Sequence, residues 1–217
     1  MRKLILLGTL AALLVPTASR AQGLQLGLRL GYAPAMGDAF QVKGDPQAAK
    51  MSDGVKSQVP LQLDVSYRFD KFLAAGAYLS YGFGQVGGQI KDLCDSNGLD
   101  CSASVVRVGV QGIYTFSQVQ ASLVPWAAVN LGYERGKLEA SGFGGSGSET
   151  ASGWELGLTV GGDYRATPQL AIGPFVGLSV GQYTSAEYGG ALGNGSLDID
   201  QKTHEWLQFG VRGTFDL

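Results

Sequence analysis

Residues 207–217, at the C-terminus, read LQFGVRGTFDL. Apolar side chains occupy almost every second position, and polar or small residues stand between them. A period of two places the two sets on opposite faces of a β-strand, whereas the helical period of 3.6 would mix them. The stretch therefore predicts a strand with an apolar face formed by Leu207, Phe209, Val211, Phe215 and Leu217, and a polar face formed by Gln208, Arg212, Thr214 and Asp216.

The same alternation occurs seven more times upstream. Beyond residue 22 no run of ~18 apolar residues appears, so the sequence predicts no transmembrane helix. Because alternating strands recur along the chain, the sequence predicts an all-β fold. The seven upstream segments are 24–32, 59–69, 73–83, 106–116, 123–134, 154–165 and 170–180.

Two features favour a membrane barrel over a soluble barrel or sandwich, which also alternate. The polar faces carry mainly Gly, Ser, Gln, Thr and Ala, which suit a narrow lumen better than a solvated surface. Trp154 and Tyr164 stand ten residues apart, which gives ~25 Å along the membrane normal for a tilted strand and matches the apolar band between aromatic girdles. We place Tyr67, Phe69, Tyr114, Phe116 and Phe215 in a lower girdle, and Tyr32, Tyr81, Phe83 and Tyr133 in an upper one.

The connections between the predicted strands alternate in length. Short periplasmic turns and longer outer loops are typical of outer-membrane barrels. We therefore predict an eight-stranded antiparallel transmembrane β-barrel with short periplasmic turns and four longer extracellular loops. The long connections are 34–57, 85–103, 136–152 and 184–203, and the short ones are Asp70-Lys71, 117–120 and Thr167-Pro168.

Three prolines conflict with this pattern. Pro60, Pro125 and Pro174 lie inside predicted strands, where each removes one donor from a hydrogen-bonded ladder. We expect bulges or local strand ends at these positions.

Residues 1–21 have the three parts of a secretory signal peptide. Arg2 and Lys3 begin the chain, residues 4–15 are apolar, and Ser19-Arg20-Ala21 supplies small residues before Gln22. The apolar run is too short to span a bilayer. We predict that this peptide is cleaved and that residues 22–217 form the barrel domain.

The composition excludes several other classes of protein. Charged residues are 16% of the 217-residue chain, against about 25% in typical domains. The formal net charge is −2, and 34 residues are Gly. These values argue against a charge-rich disordered chain, a coiled coil and a basic nucleic-acid-binding protein.

The pattern as a whole, and its last strand above all, resembles the small eight-stranded outer-membrane barrels of the OmpA/OmpX type and, more loosely, OmpW. The terminal strand is similar to the signal by which the barrel-assembly machinery recognises such proteins, although this chain ends on Leu217 with Phe215 two residues earlier. The resemblance implies a Gram-negative outer membrane and contact with its lipid and lipopolysaccharide. It also implies a structural role or binding of a surface ligand or host partner through the outer loops.

Equal numbers of opposite charges face the predicted lumen. Eight strands enclose an interior just wide enough for their own side chains, and buried charges must be paired. We therefore expect an ion-pair network that fills the barrel, with Arg29 and Asp64 as one pair, rather than a charge-lined ion pathway. The predicted members are Arg29, Arg68, Arg107, Arg165 and Arg212, with Asp64, Glu134, Glu155, Asp163 and Asp216.

Cys94 and Cys101 lie close together in the second long connection. In an exported protein this predicts a disulfide that makes the loop more rigid. No ligand spacing typical of a metal site surrounds them, and we predict neither a metal nor another cofactor.

His204, the single histidine, is the candidate catalytic residue, because some small barrels modify lipid A with Ser and His at the outer rim. Acyl transfer requires a nucleophile and a base in contact, and Ser146, Ser148 and Ser196 stand in predicted mobile loops. We interpret His204 as an exposed rim residue and the protein as non-enzymatic. The alternatives are OmpW-like passage of small hydrophobic molecules and a lipid A-modifying enzyme. An apolar upper lumen would favour the passage of hydrophobic molecules, but the inward residues predicted there, including Arg107, Glu134 and Glu155, are polar.

Overall fold

The computed structural model describes residues 23–116, 122–142, 145–190 and 193–217. The predicted signal peptide at 1–21 and the predicted short connection at 117–120 lie outside these residues. Neither helix in the described ranges is long or apolar enough to cross a membrane.

Eight long antiparallel strands close into a ring. Seven of them pair in the order β1-β3-β4-β5-β6-β7-β8, and β11 closes the ring by pairing with both β8 and β1. This confirms the predicted eight-stranded barrel. Its strands are β1 (Gly23–Val42), β3 (Val55–Arg68), β4 (Leu73–Val86), β5 (Asp100–Thr115), β6 (Leu123–Gly142), β7 (Gly145–Arg165), β8 (Leu170–Gly190) and β11 (Thr203–Asp216).

Five short elements lie between these strands on the extracellular side. They are β2 (Ala49–Lys50), α1 (Met51–Gly54), α2 (Gly88–Ser96), β9 (Gly193–Leu197) and β10 (Ile199–Gln201). β2 and β10 pair with the outer end of β1, and β9 pairs with β8. They extend the wall of the barrel beyond the ring.

The polarity of the barrel is inverted relative to a soluble protein. Apolar side chains point outward and are exposed, with Leu63 at 56% and Val110 at 59%. Arg29, Asp64 and Glu134 point inward and are buried. Alternation places every second residue on the lipid side of a closed sheet, and closure leaves no edge whose backbone groups would face hydrocarbon.

The prolines interrupt the ladder without shifting its register, so the predicted bulges are wrong. β1 pairs with β3 at Leu30↔Leu61 and again at Ala33↔Gln58, and only the pairs beside Pro60 are missing. The β7–β8 ladder skips the position of Pro174 in the same way. At Pro125 the carbonyl still accepts from Phe116 N at 2.9 Å. Each proline thus removes one local donor while its neighbours hold the strand in place.

The predicted long loops are mostly ordered strand, which corrects the expectation of flexible segments. The glycine- and serine-rich residues 136–152 continue the β6–β7 hairpin as far as the pair Gly142↔Gly145. This part of the sequence has no apolar periodicity. The hairpin is held instead by backbone hydrogen bonds between its two strands.

The short turns are held by polar side chains. Asp70 Oδ1 accepts from the backbone N–H groups of Phe72 (2.7 Å) and Leu73 (2.8 Å), and these bonds lower the pKa of the Asp70 carboxyl. Thr167 Oγ1 accepts from Leu170 N at 2.9 Å in the next short turn. Tight turns at this end and long hairpins at the other match the predicted orientation.

We predict that cysteine substitutions report this orientation on intact cells. Ser141→Cys and Asn97→Cys lie at exposed sites of the extended end, and Lys71→Cys lies in a short turn. A membrane-impermeant maleimide should label the first two, and Lys71→Cys only after lysis. The unsubstituted protein is the control, because both native cysteines form a disulfide. Labelling of Lys71→Cys alone on intact cells would show the opposite topology.

Candidate functional site

Arg29 is the centre of the periplasmic half of the lumen. Its Nε donates to Asp64 Oδ2 at 2.8 Å, and its Nη2 donates to Gln111 Oε1 at 2.7 Å. Gln62 Nε2 donates to the other oxygen of Asp64 at 2.7 Å. Strands β1, β3 and β5 contribute these residues, all of which are buried, so one guanidinium links three strands across the interior.

Below this layer, an aromatic ring separates two arginines. Trp126 Nε1 donates to Asp163 Oδ1 at 2.9 Å. The guanidinium of Arg212 lies 4.1 Å from the Trp126 ring centroid, and that of Arg29 lies 5.4 Å from it. Cation–π contact lets one buried ring face both cations. A Cβ at Gly161 would lie 2.6 Å from Trp126 Cζ2, so glycine makes room for the indole.

Asp216 completes the periplasmic half at its end. Arg68 Nη2 lies 3.5 Å from Oδ1 and Arg165 Nη1 lies 3.3 Å from Oδ2. Gln25 Nε2 donates to Oδ1 at 2.7 Å. The carboxylate of the last strand thus joins three other strands, β1, β3 and β7.

Glu134 is the centre of the extracellular half. Its Oε1 accepts from Tyr183 OH at 2.6 Å and from Trp206 Nε1 at 3.3 Å, and it lies 3.1 Å from His204 Nε2. Its Oε2 accepts from Arg107 Nε at 2.7 Å. Glu134 is 0% exposed, so four side chains from β5, β8 and β11 converge on one buried carboxylate.

Arg107 has a second set of partners. Its Nε lies 3.1 Å from Glu155 Oε2, and the Gln58 amide, turned so that its oxygen faces the guanidinium, accepts from Nη2 at 2.7 Å. Tyr78 OH donates to Glu155 Oε1 at 3.0 Å. A Cβ at Gly132 would clash with the Tyr78 hydroxyl, so this glycine allows the phenol to cross the lumen.

Above Glu134 the lumen becomes apolar. Val105, Gly136, Ala151 and Ala186 pair across β5–β8 two residues beyond the Arg107↔Glu134 pair. This layer belongs to a buried cluster in the upper barrel. The prediction of a polar upper lumen holds for the layer of Arg107, Glu134 and Glu155 and is wrong for the layer beyond it. The buried members are Ala33, Ala39, Phe40, Met51, Val55, Ala103, Val105, Ala151, Tyr183, Ala186 and Trp206.

A cleft of about 220 Å³ opens on top of this cluster, lined by the side chains of Val86, Ile90 and Leu138. The carboxyl of Glu149 also lines it, and within the described chain it has no hydrogen bond or ion pair. Burial raises the pKa of that carboxyl.

All ten charged residues predicted for the lumen have a partner of opposite charge within 4.0 Å. Arg29 meets Asp64, and Arg107 meets both Glu134 and Glu155. Arg212 Nε lies 3.8 Å from Asp163 Oδ2. The remaining ion pairs are those of Arg68 and Arg165 with Asp216.

His204 is where sequence reasoning failed. Its side chain is 0% exposed and stacks on Tyr183 with ring centroids 4.3 Å apart, so the interpretation as an exposed rim residue is wrong. β11 begins at Thr203, and the inward parity of Gln208 and Arg212 extends back through Trp206 to His204. Among the described residues no serine hydroxyl hydrogen-bonds to this histidine.

The predicted girdle residues are exposed on the outer wall. Tyr133 pairs with Trp154 across β6 and β7. Tyr81 and Phe83 are in contact, as are Tyr114 and Phe116. The remaining members, also exposed, are Tyr32, Tyr67, Phe69, Tyr164 and Phe215.

A disulfide joins Cys94 to Cys101. It ties α2 to the start of β5, at the extracellular end. No group of His, Cys, Asp and Glu side chains in the described chain is arranged to hold a metal ion.

We predict that Arg29 and Asp64 are energetically coupled. Breaking a buried pair leaves one charge uncompensated, so Arg29→Ala and Asp64→Ala should each cost ~3–5 kcal/mol. The double variant should cost less than the sum. Urea unfolding in lipid vesicles measures all three. The control is the exposed pair Lys91–Asp95, 2.7 Å apart on α2, whose coupling should stay below about 0.5 kcal/mol. Strict additivity at Arg29 and Asp64 would contradict the prediction.

Comparison with known proteins supports the fold through solved structures and not through sequence matches. No protein-family model matches the chain, and no curated protein matches it in sequence. Solved structures do match. Neisserial surface protein A (NspA) is 14% identical with a TM-score of 0.53, and the match covers 90% of this chain and 97% of that one.

Two further structures agree. A major outer membrane protein from Thermus thermophilus is 11% identical with a TM-score of 0.54, covering 88% of this chain and 99% of that one. The outer membrane protein OprG from Pseudomonas aeruginosa is 14% identical with a TM-score of 0.52, covering 91% and 98%. The chain therefore has the fold of the small eight-stranded outer-membrane β-barrels, which its terminal strand resembles.

Proposed function

We propose that the protein is a non-enzymatic barrel of the Gram-negative outer membrane that acts through its extracellular surface and does not conduct solutes through its lumen. One observation carries this proposal: paired side chains fill the described interior, and two cavities that lie among them measure only about 20 Å³ each. Such a volume holds about one water molecule.

A hydrated ion crossing the barrel would have to separate several buried contacts. The Glu134 carboxylate is bound by Arg107, Tyr183 and Trp206, and Arg29 is bound by Asp64 and Gln111. Separating such pairs is costly in a medium of low dielectric. The lumen therefore stabilises the barrel and blocks the path.

The extended extracellular wall is the surface left for interaction. A groove of about 470 Å³ lies on the ends of β5–β9, lined mainly by serines and glycines with Asp100, Glu139 and Asn194. Its polar walls and two carboxylates suit a hydrogen-bonding partner. The outward apolar face would contact lipid and lipopolysaccharide, and the last strand would meet the assembly machinery.

Catalysis fits the lumen poorly. His204 is enclosed by Tyr183 and Glu134, and its side chain is 0% exposed. A substrate could therefore not reach the imidazole.

A second candidate is passage of small hydrophobic molecules, favoured by the cleft of Val86, Ile90 and Leu138 above the apolar cluster. A ligand could enter this cleft from outside. The packed cluster and the Glu134 network lie beneath it, so such a molecule would have to leave sideways through the wall.

We predict that the purified protein in planar bilayers shows little steady conductance, because paired side chains occupy the space that water would need. A porin in the same chamber serves as the positive control. An exposed variant such as Lys91→Gln should behave as the native protein does. Large, stable conductance of the native protein would show that the lumen is open.

Two neighbouring positions on β6 test the candidate functions, because Leu138 lines the apolar cleft but not the polar groove, whereas Glu139 borders both. Leu138 packs on the inner cluster, whereas Glu139 points outward and is half exposed. If surface interaction is the function, Glu139→Arg should reduce adhesion of expressing cells to glycan-coated surfaces at least several-fold, and Leu138→Asp should leave it unchanged. Loss of uptake of an apolar solute in Leu138→Asp, with Glu139→Arg silent in both assays, would instead favour hydrophobic transport.

A further inference from the structure

Two arginines at the periplasmic end of the lumen have donors to which no group of the described residues serves as acceptor. Arg212 is 4% exposed, yet within the described chain its Nε and Nη1 donate no hydrogen bond. Arg165 Nε is likewise buried and without an acceptor. Buried guanidinium N–H groups are normally satisfied, so these three donors call for an acceptor beyond the described residues.

Both arginines border one cavity. The cavity measures about 20 Å³, and its polar lining consists of Arg68, Arg165 and Arg212, the carboxylate Asp163, and Gln25, Trp126, Thr115 and Thr214. It therefore has room for one group of about the size of water, next to three cations and one carboxylate.

The charges of the described lumen are unequally divided between its two halves. The periplasmic half holds four arginines against three carboxylates, because Arg29, Arg68, Arg165 and Arg212 face Asp64, Asp163 and Asp216. The extracellular half holds Arg107 against Glu134 and Glu155. The ten charges thus balance over the whole barrel and leave one positive charge in excess at the periplasmic end.

We propose that this cavity is a binding site for one small monovalent anion, such as chloride, held by Arg212 and Arg165. The anion supplies the missing acceptor and neutralises the excess charge, and both requirements are strong in a buried site. Polyatomic anions are excluded by size. The nearest carboxylate contact of Arg212 is Asp163, at 3.8 Å from Nε, which is too long for a hydrogen bond and leaves the donors to the anion.

The second cavity provides an internal control. It also measures about 20 Å³ and is lined by Glu155, Asn130 and Arg107 among others. The buried atoms there that accept no hydrogen bond are Asn130 Oδ1 and Glu155 Oε2, the latter 3.1 Å from Arg107 Nε. Acceptors of this kind suit a donor such as water. An anion would meet one arginine and one carboxylate in this cavity, against three arginines and one carboxylate in the first.

Bromide tests the assignment directly, because it replaces chloride and scatters anomalously. Crystals of the full-length mature barrel grown in bromide should show an anomalous peak between Arg165 and Arg212, and none at the cavity beside Glu155. Absence of a peak at the arginines would mean that water fills the site and would overturn the proposal. Equal peaks in both cavities would do the same.

Stability provides the second test. At constant ionic strength, chloride replaces gluconate, whose anion is too large for the cavity and screens charges equally. Above the dissociation constant, each tenfold rise in chloride should raise the folding equilibrium constant nearly tenfold. Arg212→Met should abolish this dependence.

A second variant keeps the test meaningful if Arg212→Met does not fold. Asp163→Asn leaves both arginines in place and removes the competing carboxylate, so it should tighten chloride binding and move the dependence to lower concentration. An unchanged dependence in both variants would place the anion elsewhere and overturn the proposal.

Discussion

The rest of the structure depends on closing eight strands into a ring in a medium that offers no hydrogen bonds. Closure satisfies every strand edge, so the backbone can face hydrocarbon. It also leaves an interior only as wide as two opposing side chains. Inward residues therefore bind one another within this narrow space. Arg29 donates to Asp64 on the neighbouring strand and to Gln111 on β5, and Gln62 donates to Asp64 along the same strand. The ion pairs are a consequence of the geometry of closure.

Much of the barrel could be predicted from the sequence, because a period of two fixes which side chains of a strand face the lumen and which face lipid. Once residues 207–217 are assigned as a strand, Arg212 and Asp216 must point inward and Phe209 outward. Adjacent strands then bring Arg29 beside Asp64. The structure places each predicted lumen charge in an ion pair. Which carboxylate meets which arginine depends on how far neighbouring strands are shifted along one another around the barrel. The alternation within a single strand does not contain that information.

Apart from the bulges expected at the prolines, the errors have one physical origin: strands extend beyond the apolar belt. Above the belt, outward residues face water, so alternation disappears, and a segment rich in Gly and Ser resembles a loop although it pairs as a hairpin. The interpretation of His204 fails for this reason, since β11 begins at Thr203 rather than at the first apolar residue. The same extension explains why Trp206 and the apolar layer of Val105, Ala151 and Ala186 escape prediction.

The lumen combines two neutralising strategies whose difference bears on function. In the extracellular half, two carboxylates face one arginine, and four side chains surround Glu134, with the apolar cluster closing over this layer. In the periplasmic half, arginines outnumber carboxylates, and aromatic faces such as that of Trp126 satisfy part of the excess charge. A conducting pore would need charged side chains that line a water-filled path, whereas here groups on several strands hold each charged side chain in place. The charged interior thus cross-links the strands beneath the extracellular hairpins, which leaves the wall beyond the upper aromatic residues as the surface that can meet a partner.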